Sequence, residues 1–322
     1  MRDSSEVRVS SALPFTARPN LIKSAALRHL LTDKVTLLAF FVLLLVTVLT
    51  LGADLVAGNL LGQQRDTIDL VLVGQQPFPP PFPAGVGGHI LGTDELARDM
   101  LARTIYAGQV SLSVGYLTAL IAVVVGAGLG MLAGYLGGWV DTLVGALMQI
   151  LVNIPLFFLM IILSFVVIMT VPNISLLIGL LSWVGTARLV RGQVLGLKYR
   201  EYVDAARVMG ASNLRIMVKH ILPNVLSTML VVVGFDISGA ILTEAGLSYL
   251  QFGVVLPVPS WGNLLAGSIR ATSTPSDGTL LFERNIWLFL LPAASMVITL
   301  TCIYLVTGGI RDAFDPRLRR EK

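Results

Sequence analysis

The spacing of charged residues constrains this chain more than any other feature. Between Lys34 and Asp54 there are 19 residues without a charge, and between Arg103 and Asp141 there are 37. The intervals from Asp141 to Arg188 and from Arg284 to Arg311 hold 46 and 26 more. A helix needs about 20 mostly apolar residues to cross a bilayer, and within lipid it must satisfy its own backbone hydrogen bonds. Only 13% of the 322 residues are charged, against about 25% in ordinary soluble domains. Soluble and disordered classes are excluded, and the chain reads as an all-α, polytopic membrane protein.

The basic residues that remain are clustered. Six of the 23 lie at or before Lys34, seven between Arg188 and Lys219, and five between Arg311 and Lys322. Lys and Arg near membrane ends stay on the cytoplasmic side, so the N-terminus, a central loop and the C-terminus are expected in the cytoplasm. The net charge of +4 then reflects topology, and no nucleic-acid partner is inferred from it. The lone Cys302 excludes an intramolecular disulfide and a Cys-based zinc site. His29, His89 and His220 are too dispersed to suggest a metal centre. The first apolar run begins too late and is too long for a signal peptide, which makes it a retained first helix.

Six transmembrane helices are expected. A cytoplasmic segment 1–34 precedes a first helix over 35–57 and an extracytoplasmic loop over 58–107. That loop contains the proline-dense stretch 75–83, where the missing N–H groups and fixed φ of proline favour extended backbone. Within it, 92–103 shows helix-start chemistry at Thr93 or Asp94. Asp94 with Arg98, and Asp99 with Arg103, stand four apart and can pair on one face. The core, 108–310, holds five helices at about 108–135, 141–170, 174–194, 223–245 and 286–310, with a tail over 311–322. Pro155 should kink the third helix, and Val171-Pro-Asn173 should separate it from the fourth. Gly126, Gly128, Gly130 and Gly134 suit close helix approach in lipid better than a nucleotide loop, since no strand precedes them. An external loop is expected over 246–285. The even helix number returns both termini to one side, in agreement with the basic segments.

The cytoplasmic loop 198–223 is amphipathic. Tyr199, Tyr202, Val203, Ala206 and Met209 form one apolar stripe at helical spacing, and Arg200 can pair with Asp204. Gly210 should end this helix by taking a left-handed conformation. Ser212 should cap a second one, with Leu214, Met217, Val218 and Ile221 as its stripe, before the boundary at Pro223. Three uses fit such a helix-turn-helix: reading DNA, lying on the lipid surface, or docking into a groove on a cytoplasmic partner. Its position between two spans makes DNA hard to reach and favours docking.

Asp204-Ala-Ala-x-x-x-Gly210, followed by His220-Ile-Leu-Pro223, resembles the EAA loop of the inner-membrane permease subunits of ABC importers. Asp204 stands where the consensus has Glu, and the carboxylate is kept. His220-Ile-Leu-Pro-Asn is the form typical of the peptide and nickel branch. Leu91–Asp99, Gly137-Gly-Trp-Val-Asp141, Ala187–Gln193, Glu244-Ala-Gly-Leu-Ser248, Pro259-Ser-Trp-Gly-Asn263 and Asp312–Leu318 are also similar to that dipeptide, oligopeptide and nickel branch, in family order. The six-helix pattern resembles the second permease of such systems. The resemblance implies a type I ABC importer permease fold in a prokaryotic inner membrane. It implies a homologous permease partner in a heterodimer, two ABC ATPase subunits and an extracytoplasmic binding protein. It also implies that Glu201, Asp204, Ala205, Ala206, Gly210, His220 and Pro223 form the surface that docks on an ATPase.

The chain has no Gly-x-x-x-x-Gly-Lys-Ser/Thr motif, so it is not expected to cradle a nucleotide that way. No cofactor is expected on this chain; ATP and Mg would be used by the partner ATPases. Ionisable groups within spans are costly and mark function by default, which makes Asp236 and Glu244 candidates for a translocation pathway. For Glu244, a place near the outer end of its helix, in water or beside a loop Arg, is the competing expectation. Asn153 and Gln149 are weaker candidates, read as interhelical hydrogen-bonding groups. The competing class is an ion-gradient-driven secondary transporter, which would use the intramembrane carboxylates but has no need of the 199–223 loop. A membrane-embedded enzyme would need an acid–base or metal cluster within the spans, which the sequence lacks. The cargo stays open among dipeptides, oligopeptides, nickel complexes and oligosaccharides.

Overall fold

A computed structural model describes residues 32–60, 62–73, 89–271 and 286–314. The Pro-rich stretch 75–83, most of the segment 271–285, His29 and the basic ends before residue 32 and after 314 lie outside the described residues. Among those described, the regular structure is helical, joined by turns and loops that carry isolated bridges at Ile68–Arg98 and Thr93–Asp99.

Helix α1, Lys34–Leu51, starts where the Asp33 side chain accepts from Val35 N–H. Its flank of Leu38, Phe41, Leu45 and Val48 is exposed, as expected for a helix whose outer face meets lipid. A π-helical stretch, Asp54–Leu60, continues the chain beyond it. Helix α2, Met100–Leu136, is 37 residues without a proline, about 55 Å long at 1.5 Å per residue. It begins eight residues before the expected start at 108. Asp99, not Thr93 or Asp94, is the cap, accepting from Ala102 N–H at 2.7 Å, and Arg103 lies inside the first turn because Asp94 neutralises it.

Two glycines with positive φ, Gly137 and Gly138, turn the chain into α3, Gly138–Asn153. Pro155 ends α3 and opens α4, Leu156–Ser164, at an angle of 78°. The break has a steric cause: the residue before a proline is excluded from helical backbone, and Ile154 is extended. Helix α5, Val171–Leu197, carries proline in its first turn and is capped by Thr170. Helices α6, Glu201–Val208, and α7, Asn213–Ile216, are short, and a π-helical stretch, Met217–Ile221, leads into α8, Leu222–Tyr249. Helix α9, Trp261–Ala271, lies within the segment read as an external loop, too short to cross a bilayer. Its inner positions carry Trp261, Leu264 and Ser268; Trp261, Leu264, Leu265 and Ile269 recur at helical spacing, a signal that the reading of the segment as a loop passed over. Helix α10 runs Ile286–Phe314.

Helices α1, α2, α5, α8 from Thr228, and α10 are each long and apolar enough to cross a membrane, and α3 with α4 makes a sixth crossing if taken as one broken span. The α2–α5 pair is the most extensive packing in the molecule. Gly126, Gly130 and Gly134 recur every four residues and face α5. A Cβ on Gly126 would meet Trp183 O at 2.7 Å, one on Gly130 would meet Ala187 O at 2.5 Å, and one on Gly134 would meet Arg191 O at 3.0 Å. Backbone-to-backbone approach of this kind is how small residues associate helices where lipid supplies no hydrophobic drive. Gly128 faces open space and takes no part.

Candidate coupling loop and intramembrane carboxylates

The loop 198–223 folds as two short helices around Gly210, whose φ is +79°. Gly210 N–H donates to Arg207 O at 2.9 Å and Ala211 N–H donates to Ala206 O at 3.0 Å, the paired bonds of a Schellman cap. Space is not the reason for glycine here, since nothing lies within 4 Å of a Cβ; the left-handed backbone is. Ser212 caps α7 by accepting from Arg215 N–H.

Only part of the expected apolar stripes turns inward. Val203 is fully buried and Ala206 half-buried, whereas Tyr199, Tyr202 and Met209 are exposed. On the second arm Ile216, Met217 and Ile221 are buried, while Leu214 and Val218 face out. The stripe expected on this arm therefore does not share one face: Met217 and Ile221 turn inward with Ile216, and Leu214 and Val218 turn outward, with a π-helical stretch altering the register after Ile216. The inner residues join Ala127 and Met131 of α2, Val190 and Val194 of α5, and Val225 and Met229 of α8 in one core. The outer face is apolar and unpartnered among the described residues, with Val208 87% and Met209 86% exposed at the turn.

The polar residues of the loop sit around that face. Glu201 and Asp204 occupy the first turn of α6 and are exposed, where carboxylates oppose the positive helix N-terminus. Asp204 pairs with Arg207 at 2.9 Å, not with Arg200, which caps the helix in extended conformation. Arg207 lies over the Tyr135 ring, 5.6 Å from its centre. Hydrogen bonding to Tyr135, aided by Asp204, holds its guanidinium above the ordinary arginine value, so the loop keeps this charge. Ala205 is exposed, His220 is half-buried with its carbonyl accepting from Asn224 Nδ2 at 2.7 Å, and Pro223 is exposed in the first turn of α8.

Asp236 and Glu244 lie two turns apart on α8 but occupy different surroundings. Asp236 is half-buried and accepts from Thr186 Oγ1 of α5 at 3.0 Å. Glu244 is fully buried. Ser111 Oγ of α2 donates to it at 3.1 Å and Ser248 Oγ at 2.6 Å, with Ser260 as a further partner. Trp261 N–H in turn donates to Ser111 Oγ. Among the described residues no arginine meets Glu244, which is sealed from solvent; a cage of hydroxyls contributed by three segments surrounds it. These serines are far apart in sequence, so no local signal could reveal the cage.

The comparisons with known proteins bear on this arrangement. Residues 126–320 match the family described as "binding-protein-dependent transport system inner membrane component". The chain belongs to that family. The permease is 40% identical over 237 residues to the oligopeptide transport system permease protein OppC of Haemophilus influenzae, covering 74% of this chain and 73% of the relative. It is 38% identical over 232 residues to OppC of Escherichia coli, covering 72% and 74%. It is 32% identical over 308 residues to the dipeptide transport system permease protein DppC of Bacillus subtilis, covering 94% and 88%. The permease is thus a transport subunit and a multi-pass inner-membrane protein, with an all-α fold, and the matched segment contains the 198–223 loop, Asp236 and Glu244.

Asn153 is exposed, and its Nδ2 donates to Gln149 O within the same helix at 2.8 Å, so the expected interhelical bond is not the one formed. At the end of the bundle away from the loop, Asp94 pairs with Arg98 at 2.8 Å and with Arg103 at 3.3 Å. Asp99, its place beside Arg103 not used, pairs with the buried His89 at 2.9 Å. Asp94, Arg98 and Arg103, with Asn263 and Leu288, border a cavity of about 350 Å³. Burial, reinforced by Asp94, raises the Glu95 carboxyl at its rim above the usual value.

Proposed function

We propose that this permease moves di- or oligopeptides into the cell by alternating access, driven by two ABC ATPase subunits that hydrolyse ATP with Mg. It pairs with a homologous permease as a heterodimer and receives cargo from an extracytoplasmic binding protein. The termini and the 198–223 loop face the cytoplasm, and Glu201, Asp204, Ala205, Ala206, Gly210, His220 and Pro223 belong to the docking segment. The cargo assignment rests on the oligopeptide and dipeptide permeases it is similar to.

The observation that carries this reading is the two-sided construction of the loop. Its inner face is fixed in the bundle core by Val203, Ile216 and Ile221, while Tyr199, Val208, Met209, Leu214 and Val218 stand exposed around the Gly210 turn. An apolar face of this kind suits insertion into a protein groove, and a loop rigidly seated in the bundle moves helices when its partner moves it.

Replacing Gly210 with valine tests the proposal. A β-branched residue at φ +79° is strained and reshapes the turn without disturbing the buried face. The variant inserts and assembles, hydrolyses ATP with its partners, and fails to import peptide. Import at the wild-type rate would remove the docking role. Cargo is tested separately by purifying the binding protein that associates with the permease and identifying its bound ligand by mass spectrometry; a nickel complex or an oligosaccharide would replace peptides.

A further inference from the structure

Tyr135 occupies the last turn of α2 and is 8% exposed. Its hydroxyl donates to Asn213 Oδ1 at 3.1 Å, and its ring lies under Arg207 with 5.6 Å between guanidinium and ring centre. Arg207 belongs to α6, before the Gly210 turn, and Asn213 to α7, after it. One side chain therefore touches both arms of the loop. The loop is joined covalently to α5 and α8 only, whereas Tyr135 lies more than sixty residues earlier in the chain.

Other contacts between the loop and α2 differ in kind. Val203 and Ile216 pack near Ala127 and Met131, and such apolar contact is non-directional. Lys198 Nζ donates to Gly134 O at 3.0 Å, on a flexible stem that precedes the first arm. A hydrogen bond has a preferred line and a cation over a ring a preferred face. Together they fix the angle between the arms and the orientation of both relative to α2.

We infer that Tyr135 is a positioning residue for energy coupling: it sets the angle of the loop across Gly210 and passes the loop's displacement to α2. The inference rests on the reading of the loop as the docking segment. Loss of Tyr135 leaves the motor able to dock and turn over while α2 follows it less faithfully.

The test uses the full importer with its partner subunits in proteoliposomes, reading ATP hydrolysed per substrate imported. Tyr135→Phe removes the hydroxyl, and with it the bonds to Asn213 and Arg207, and keeps the ring; the ratio rises at least about fivefold, the equivalent of one hydrogen bond. Tyr135→Leu removes both contacts and raises it further, with ATPase activity retained. Because Tyr135 is buried, Asn213→Ala and Arg207→Gln, both at exposed positions of the loop, provide the same test without touching the core. Asn213→Ala reproduces the part of the Phe effect that belongs to its own bond, about fivefold, and adds nothing to the Phe variant when combined. A wild-type ratio in Tyr135→Phe and Asn213→Ala, or full additivity of the two, overturns the inference. If Gly210→Val uncouples while these variants do not, only the role of Tyr135 falls. If Gly210→Val imports normally, the docking reading falls and the inference with it.

Discussion

Arg191 of α5 grips Asp141 of α3 with two parallel bonds, Nε to Oδ1 and Nη2 to Oδ2, the second at 2.7 Å. The carboxylate belongs to the Gly-Gly-Trp-Val-Asp segment and the guanidinium to the Ala-Arg-Leu-Val-Arg segment, so two motifs 50 residues apart close one joint. Forked pairing of this kind is stronger and more directional than a single contact. Asp141→Ala destabilises the detergent-solubilised permease by roughly 1–2 kcal/mol, since both groups are partly exposed. Exchanging the two residues recovers at least half of that loss. A double exchange no more stable than the single variant, measured by thermal unfolding, contradicts the pairing.

The glycine stripe yields opposite outcomes two residues apart. Gly130→Ala drives a methyl group into the backbone of α5 at Ala187, with no side chain to yield, at a cost of about 2–3 kcal/mol. Gly128→Ala meets nothing and gains up to about 1 kcal/mol of helix propensity. The yield of monodisperse protein on size exclusion distinguishes the two; equal behaviour would sink the close-approach account.

Glu244 is predicted to tolerate glutamine but not alanine. Glutamine keeps the volume and an acceptor oxygen for one of the two serine hydroxyls, while its NH2 donates to the other, for a change within about 1 kcal/mol. Alanine leaves both hydroxyls without an acceptor in a sealed site and opens a cavity, costing roughly 3 kcal/mol. Equal loss in both variants would show that the carboxyl itself, not its hydrogen-bonding capacity, is required.

Asp236 is proposed to face the pathway, because it is the more open of the two carboxylates and has one described hydrogen-bond partner, Thr186. Asp236→Asn lowers peptide uptake about tenfold, the equivalent of one interaction of a charged group, with assembly unchanged. Uptake and assembly both at wild-type levels remove the residue from the pathway.

The sequence was most legible where one physical rule acted alone. The charge-free runs located the spanning helices because lipid tolerates few charges, and Pro155 and Gly210 located a break and a turn because their backbones have steric limits. Legibility failed where two segments had to meet. Arg103 was assigned to a loop because its charge hid the start of α2, and its neutralising Asp94 became visible only in space. The stripe of Leu214, Met217, Val218 and Ile221 was split between two faces, with a π-helical turn shifting the period from Met217. The serine cage of Glu244 and the bridge made by Tyr135 join residues from different helices, and nothing local in the chain encodes such meetings.

The length of α2 has a consequence for where the loop is held. Its 37 residues amount to about 55 Å, while the hydrocarbon layer is about 30 Å thick. At 40°, the upper end of the tilts that spanning helices adopt, it would still rise about 42 Å across the bilayer, leaving about 12 Å outside the hydrocarbon. Tyr135 is the penultimate residue of that helix, at one of its projecting ends. Placed at this end, that excess would hold the Arg207 guanidinium and the ring it stacks on outside the hydrocarbon, where a full charge is cheaply solvated, and the permease could be pulled by a charged contact without dragging that charge into lipid.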